Sequence, residues 1–266
     1  MVQAQSVTAE IDVLAMFFPI PTLGILPINS YVLRAQEPVL VDTGSPLDGM
    51  GADNTASFMA ALREAIDPAD LRWIWLTHGD MDHVGSVHHV LQEAPQARVV
   101  TSFLTVGRMT LHAPLPMERV YLINPGQSLD VGDRTLTSVR PPFFDAPDTA
   151  GLFDSKSRTF FSSDFFGGLM SEPADTAADI PTDEREQGQR LWPTVDAPWI
   201  HGVDRGVFRE RLEQVRALQP EWILSTHLPP AHGMLEEFLE LLATVPDAEP
   251  FVGPDQKTLE AMLARA

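Results

Sequence analysis

His78-Gly79-Asp80-Met81-Asp82-His83 follows the apolar run Trp73-Ile74-Trp75-Leu76. Two tryptophans with Ile and Leu predict a buried strand, so the six residues after Thr77 sit at its carboxyl end and at the start of a helix. Open α/β sheets bind ligands at that end of their strands. Four of the six side chains can coordinate a metal, and a turn gathers them toward one pocket where a strand would alternate them across its faces.

Composition narrows what such a pocket serves. A chain of 266 residues, 44% hydrophobic, is expected to form one large domain over 1–266 with a real core. No cysteine is present, which removes disulfides, iron–sulfur ligation and thiol nucleophiles and is compatible with the cytoplasm. With 18 Lys and Arg against 37 acids, the net charge of −19 argues against nucleic acid and anionic membrane surfaces as partners. Met1 to Ile11 lacks the pattern of a secretory signal. Pro19, Pro21, Gly24 and Pro27 break the apolar stretch Val13 to Leu33, so no membrane helix is expected there and a cytoplasmic location is.

Around the motif, Ile11 to Phe18, Asn29 to Arg34 and Glu37 to Thr43 read as strands, the last running into Asp42-Thr43-Gly44. Asp42 has two readings of equal weight, a brace behind a ligand histidine or a turn cap. Asn54 to Ile66 and Val84 to Glu93 carry helical spacing, and Ala97 to Thr101 is the next strand. From Arg119 onward shorter strands over Val120 to Ile123, Ser128 to Val131 and Thr135 to Val139 imply a second sheet. Asp145 lies in a proline-stiffened loop, and Asp164 follows the Phe-rich strand Thr159 to Ser163, where an acid is costly unless exposed, paired or metal-bound. Ser171 to Gln187, rich in acids, reads as a surface loop or lid. Glu221 to Thr226 is a strand that delivers His227, which is preferred over His232 as a site residue. His88, His89 and His112 are assigned to surface or structural roles, and Trp192, Trp199 and His201 to packing. Strand–helix, then strands, then strand–helix fits two half-domains facing each other.

Asn29-Ser30-Tyr31-Val32-Leu33, Val41-Asp42-Thr43-Gly44, the His78 to His83 motif, Asp145-Ala146-Pro147-Asp148-Thr149, Phe161 to Gly167 and Ser225-Thr226-His227 together resemble the metallo-β-lactamase-fold superfamily. Within it the chain is most similar to the diiron domain of flavodiiron proteins and their stand-alone oxygen-binding relatives. The intervals also match: 61 residues (84 to 144), 18 (146 to 163) and 62 (165 to 226) separate His83, Asp145, Asp164 and His227. The resemblance implies an α/β fold, an αββα sandwich of two mixed sheets flanked by helices. It also implies one metal held by His78, Asp80 and Asp145, a second by Asp82, His83 and His227, and Asp164 bridging both. Asp82 and Asp164 are the residues read as catalytic. The family usually carries Glu at the place of Asp80 and His at that of Asp145. No flavodoxin-like segment lies before Ala266, so no flavin is expected on this chain.

Four carboxylates and three neutral imidazoles give a ligand charge of −4, which balances two divalent ions and favours iron, with manganese or zinc as alternatives. Such a shell weakens each metal as a Lewis acid. The leading expectation is therefore a diiron oxidoreductase that binds or reduces O2, or NO, fed by a separate electron-donor flavoprotein, and the resemblance implies a homodimer. A dinuclear hydrolase of esters, lactones, thioesters or phosphodiesters is the alternative, and a non-catalytic sensor the third reading.

Overall fold

A computed structural model describes residues 1–264. The first sheet begins with β1 (Gln3–Thr8), β2 (Ile11–Ile20) and β3 (Gly24–Leu33), paired antiparallel, and continues through β4 (Val39–Val41), antiparallel to β3. Helix α1 (Thr55–Ala65) crosses to β5 (Trp73–Trp75), which pairs parallel with β4. After α2 (Met81–Val84) and α3 (Val87–Glu93) comes β6 (Arg98–Thr101), and after α4 (Phe103–Met109) comes β7 (Val120–Leu122), both parallel additions. The strand order is β1-β2-β3-β4-β5-β6-β7.

β8 (Ser128–Asp130), β9 (Thr135–Val139), β10 (Gly151–Asp154) and β11 (Thr159–Ser163) form an antiparallel meander. Helices α5 (Thr182–Asp196) and α6 (Arg205–Leu218) then lead to β12 (Trp222–Ser225), parallel to β11, and to the short edge strand β13 (Ala231–His232). Helices α7 (Leu235–Leu242) and α8 (Gln256–Leu263) follow. This second sheet runs β13-β12-β11-β10-β9-β8.

Strand periodicity explains the layering. In β5, Ile74 packs outward against Leu40, Leu62 and Val87, while Trp75 points inward to Tyr31, Phe161 and Leu224 between the sheets. In β11, Phe161 points inward and Phe160 outward against Phe208 and Phe238 under α6 and α7. Both faces of each central strand are thus buried, which is why these strands read as continuous apolar runs. Each such side chain contributes roughly 1.5–3 kcal/mol. Two mixed sheets flanked by helices is the expected αββα sandwich.

Local departures from the sequence reading have simple causes. Val120–Leu122 joins the first sheet beside β6, so the second sheet starts one strand later; three residues hold too little pattern to assign a sheet. Gln3–Thr8 is a strand with a mostly polar, exposed pattern, which its sequence concealed. The helix expected over Val84 to Glu93 is interrupted at Gly85-Ser86. Within Ser171 to Gln187 the chain is a surface loop as far as Thr176, as expected, and then forms a short turn of helix at Ala177–Asp179 and the start of α5. Among the described residues no helix is long and apolar enough to cross a membrane.

Candidate metal centre

The chain leaves β4 and β11 at residues with left-handed backbones, Asp42 (φ 57°) and Ser163 (φ 56°). Each costs of order 1 kcal/mol for a non-glycine residue. Both lie at strand ends that face one another across the two sheets, and there all seven of the sequence-predicted site residues converge.

The motif is strapped to β4 by the backbone. Thr43 N–H donates to the His83 carbonyl at 2.7 Å, and Gly85 N–H donates to the Gly44 carbonyl at 3.0 Å. A Cβ on Gly85 would sit 2.6 Å from that carbonyl oxygen and 2.5 Å from Pro46 N, so only glycine lets the strap close. Asp80 is the N-cap of α2 but makes no capping hydrogen bond, so its side chain is free of the helix.

The histidines are oriented from behind. His83 Nδ1 lies 2.8 Å from Asp42 Oδ2, while Thr77 N–H donates to Asp42 Oδ1 at 2.8 Å. Asp42 thus braces a histidine, which decides between its two readings. His227 Nδ1 lies 2.8 Å from the Pro27 carbonyl oxygen, which can only accept; Nδ1 therefore carries the proton and, in a neutral ring, Nε2 offers a lone pair. His78 Nδ1 faces the hydroxyls of Thr77 and Ser163, each at 3.3 Å. Every Nε2 is turned to the centre.

There the atoms fall into two groups. His78 Nε2 lies 3.4 Å from Asp164 Oδ2, 3.7 Å from Asp145 Oδ2 and 3.9 Å from Asp80 Oδ2. His83 Nε2 lies 3.0 Å from Asp164 Oδ1 and 3.7 Å from Asp82 Oδ2. His227 Nε2 lies 3.1 Å from Asp164 Oδ1 and 3.5 Å from Asp82 Oδ2. Two atoms bound to one ion at about 2.1 Å sit about 3.0 Å apart at a right angle and about 3.4 Å apart at a tetrahedral one. The spacings fit cation-sized gaps, with one oxygen of Asp164 turned to each group. Asp164 is buried and its Oδ1 has no hydrogen-bond partner, an orphan that a cation between it and the imidazoles would satisfy.

Electrostatics agree with a site lacking positive charge of its own. Burial, reinforced by the charge of Asp164, pushes the Asp145 carboxyl up to about 6 despite His78. Burial opposes charging His227, yet Asp164, whose Oδ1 lies 3.1 Å away, and the charge of Asp82 raise it to about 9. Burial likewise opposes charging His83, but Asp82, Asp164 and Asp42 lift it well above the usual imidazole range. Without a cation, protons fill the gap.

Three features escaped the sequence. Arg108 on α4 pairs with Asp80 and, at 2.5 Å, with the buried Asp148, whose other oxygen accepts from Gly79 N–H at 2.9 Å. Asn29 Nδ2 donates to the carbonyls of Ser225 and Leu228 at 3.1 and 2.8 Å, fixing the turn that carries His227. Asp196 offers an oxygen within 4.8 Å of oxygens of Asp145 and Asp164. Of the remaining residues, Trp192 packs edge-on against His227 with ring centroids 5.0 Å apart, so its packing role does wall the site. His232 stacks on Trp222, exposed and away from the centre.

The anaerobic nitric oxide reductase flavorubredoxin of Klebsiella pneumoniae subsp. pneumoniae is 26% identical over 178 residues, 64% of this chain and 35% of the relative. The type A flavoprotein fprA of Rhodobacter capsulatus is 33% identical over 141 residues, 52% of this chain and 31% of the relative. The chain therefore spans about a third of the length of these curated relatives. The crystal structure of the flavodiiron protein from Giardia intestinalis superposes with a TM-score of 0.79 at 15% identity, covering 92% of this chain and 60% of that one. The fold is thus that of flavodiiron cores, and since the model of the ODP family beta lactamase matches residues 26–227, the chain belongs to that family.

Proposed function

We propose that this protein is a dinuclear iron oxidoreductase that binds and reduces O2 or NO. His78, Asp80 and Asp145 would hold one ion, Asp82, His83 and His227 the other, with Asp164 between them. The observation that carries the reading is the pair of Asp164 oxygens, each facing its own group of ligand atoms with imidazole Nε2 lone pairs turned inward. When bound, the two ions supply electrons and open coordination positions for a diatomic molecule. The chain supplies the rest. Asp42, Ser163 and the Pro27 carbonyl hold the rings, and Trp192 shields His227 from solvent. Asp80 and Asp82, with side chains 37% and 30% exposed, form the open side through which a small molecule enters.

The carboxylate-rich ligand set supports redox chemistry over hydrolysis, because it acidifies a bound water less than a histidine-rich set does. The nitric oxide reductase name of the Klebsiella relative points the same way. We further propose that residues 1–266 work as one unit, that a separate flavoprotein in the cytoplasm supplies the electrons, and that the protein is a homodimer. The test is to load the protein with iron, reduce it without oxygen and follow its absorption on exposure to O2 or NO. Oxidation of two irons per chain is expected. Inert irons, or zinc at both positions with turnover of a generic ester, would sink the redox reading.

A further inference from the structure

Helix α5 ends on an acid in an unfavourable place. Asp196 is its last residue, where the macrodipole disfavours negative charge, and Ala197-Pro198 stops the helix there. Asp196 Oδ2 is shut off from solvent and has no hydrogen-bond partner. Asp145 and Asp164 each have an oxygen within 4.8 Å of it, and Asp164 itself is 97% buried with its Oδ1 unpaired. Helix end, burial and neighbouring carboxylates all disfavour this carboxylate, and no hydrogen bond reaches its Oδ2.

On the other side of the same gap, Arg108 engages Asp80 Oδ1 and leaves only Oδ2, 3.9 Å from His78 Nε2, to face the centre. Asp80 is also the more exposed carboxylate, 37% against 14% for Asp145. The His78 side is thus weakly closed by its motif residue, and α5 brings a further carboxylate, Asp196, within 4.8 Å of Asp145 and Asp164.

We propose that Asp196 is a further metal ligand, binding the ion held by Asp145 and Asp164. This rests on the reading of the cluster as a metal centre, but not on its redox chemistry. Three carboxylates that meet within 4.8 Å become mutually compatible once a divalent cation lies between them.

The experiment uses the full chain stripped of metal and titrated with Co2+, reading the number of ions bound, their affinities and the visible spectrum. Two Co2+ per chain are expected for the natural sequence. Asp196→Asn keeps the shape of the side chain and removes its charge. It should weaken one of the two ions by at least about tenfold and change its spectrum, leaving the other as before. Asp196→Glu, which retains a carboxylate, should hold both ions with a shifted spectrum, and it serves as the test if the Asn variant folds poorly. Wild-type affinities and spectrum in Asp196→Asn, or an unshifted spectrum in Asp196→Glu, overturn the assignment while leaving the dinuclear centre intact. Failure of the natural chain to bind two ions overturns the centre itself, and Asp196 with it.

Discussion

Asp42 Oδ2 and His83 Nδ1 lie 2.8 Å apart, and the same carboxylate takes the Thr77 amide at 2.8 Å through its other oxygen. Both of its oxygens are therefore occupied by donors. Asp42→Asn replaces one acceptor with an NH2 that faces a donor, while asparagine tolerates the same left-handed backbone. Metal affinity at the His83 side should fall about 10–100-fold. The metal-free protein should lose roughly 1–3 kcal/mol from the unsatisfied donor. Equilibrium dialysis and denaturant melts check the two effects separately.

Protons and metal compete for His227. Its folded pKa of about 9 lies above the ordinary 6.5, so in the metal-free protein its stabilising contribution is fully present below pH 6.5 and is lost as pH rises through 9. Asp145, raised to about 6 from 3.8, adds a loss between those two values as it ionises. Stability of the metal-free form should therefore fall from acid toward alkaline pH. Metal binding must displace these protons, so affinity should rise over the same range and calorimetry near pH 7 should register proton release. A metal-free protein that grows more stable between pH 6.5 and 9 would contradict this.

Arg108 joins Asp80 to Asp148, which is wholly buried. Arg108→Ala strands the Asp148 charge. The cost should be about 1–3 kcal/mol, less than for a fully buried pair because Arg108 is 37% exposed. At this chain length that lowers Tm by several degrees. If Arg108 also restrains Asp80, metal affinity at the His78 side should rise relative to the natural chain at equal folded fraction.

Gly85 allows the motif to approach the Gly44 carbonyl. Gly85→Ala places a methyl against main-chain atoms of Pro46 and Gly44, which cannot move as a side-chain tip can. Destabilisation of about 1–3 kcal/mol or more is expected, together with weaker metal binding, since the strap also positions His83. Chemical denaturation and dialysis read both.

What could be seen in the sequence and what could not follow a common rule. His78, Asp80, Asp82 and His83 are legible because six consecutive residues after an apolar strand carry them. Asp164 and His227 are legible because each ends a Phe- or Leu-bearing strand, where a polar side chain needs a reason. Asp196 carries no such mark, being one acid among many near an acidic stretch, brought close to Asp145 and Asp164 only by the tertiary fold. The one available hint was an acid closing a helix just before Ala197-Pro198 and the apolar Trp199-Ile200. The grip of Arg108 on Asp80 was invisible because it depends on α4 folding back across 28 residues of chain. Strand membership failed where strands were three residues long, as with Val120–Leu122.

The first sheet contributes His78 and His83, and the second contributes Asp164 and His227. An ion gripped from both sides works as a rivet through the sandwich, and the two layers cannot part without releasing it. Resistance to heat and to proteases should then track the free metal in solution, by about 2.7 kcal/mol at a hundredfold excess over Kd. The supply of that metal would then set how long the protein lasts.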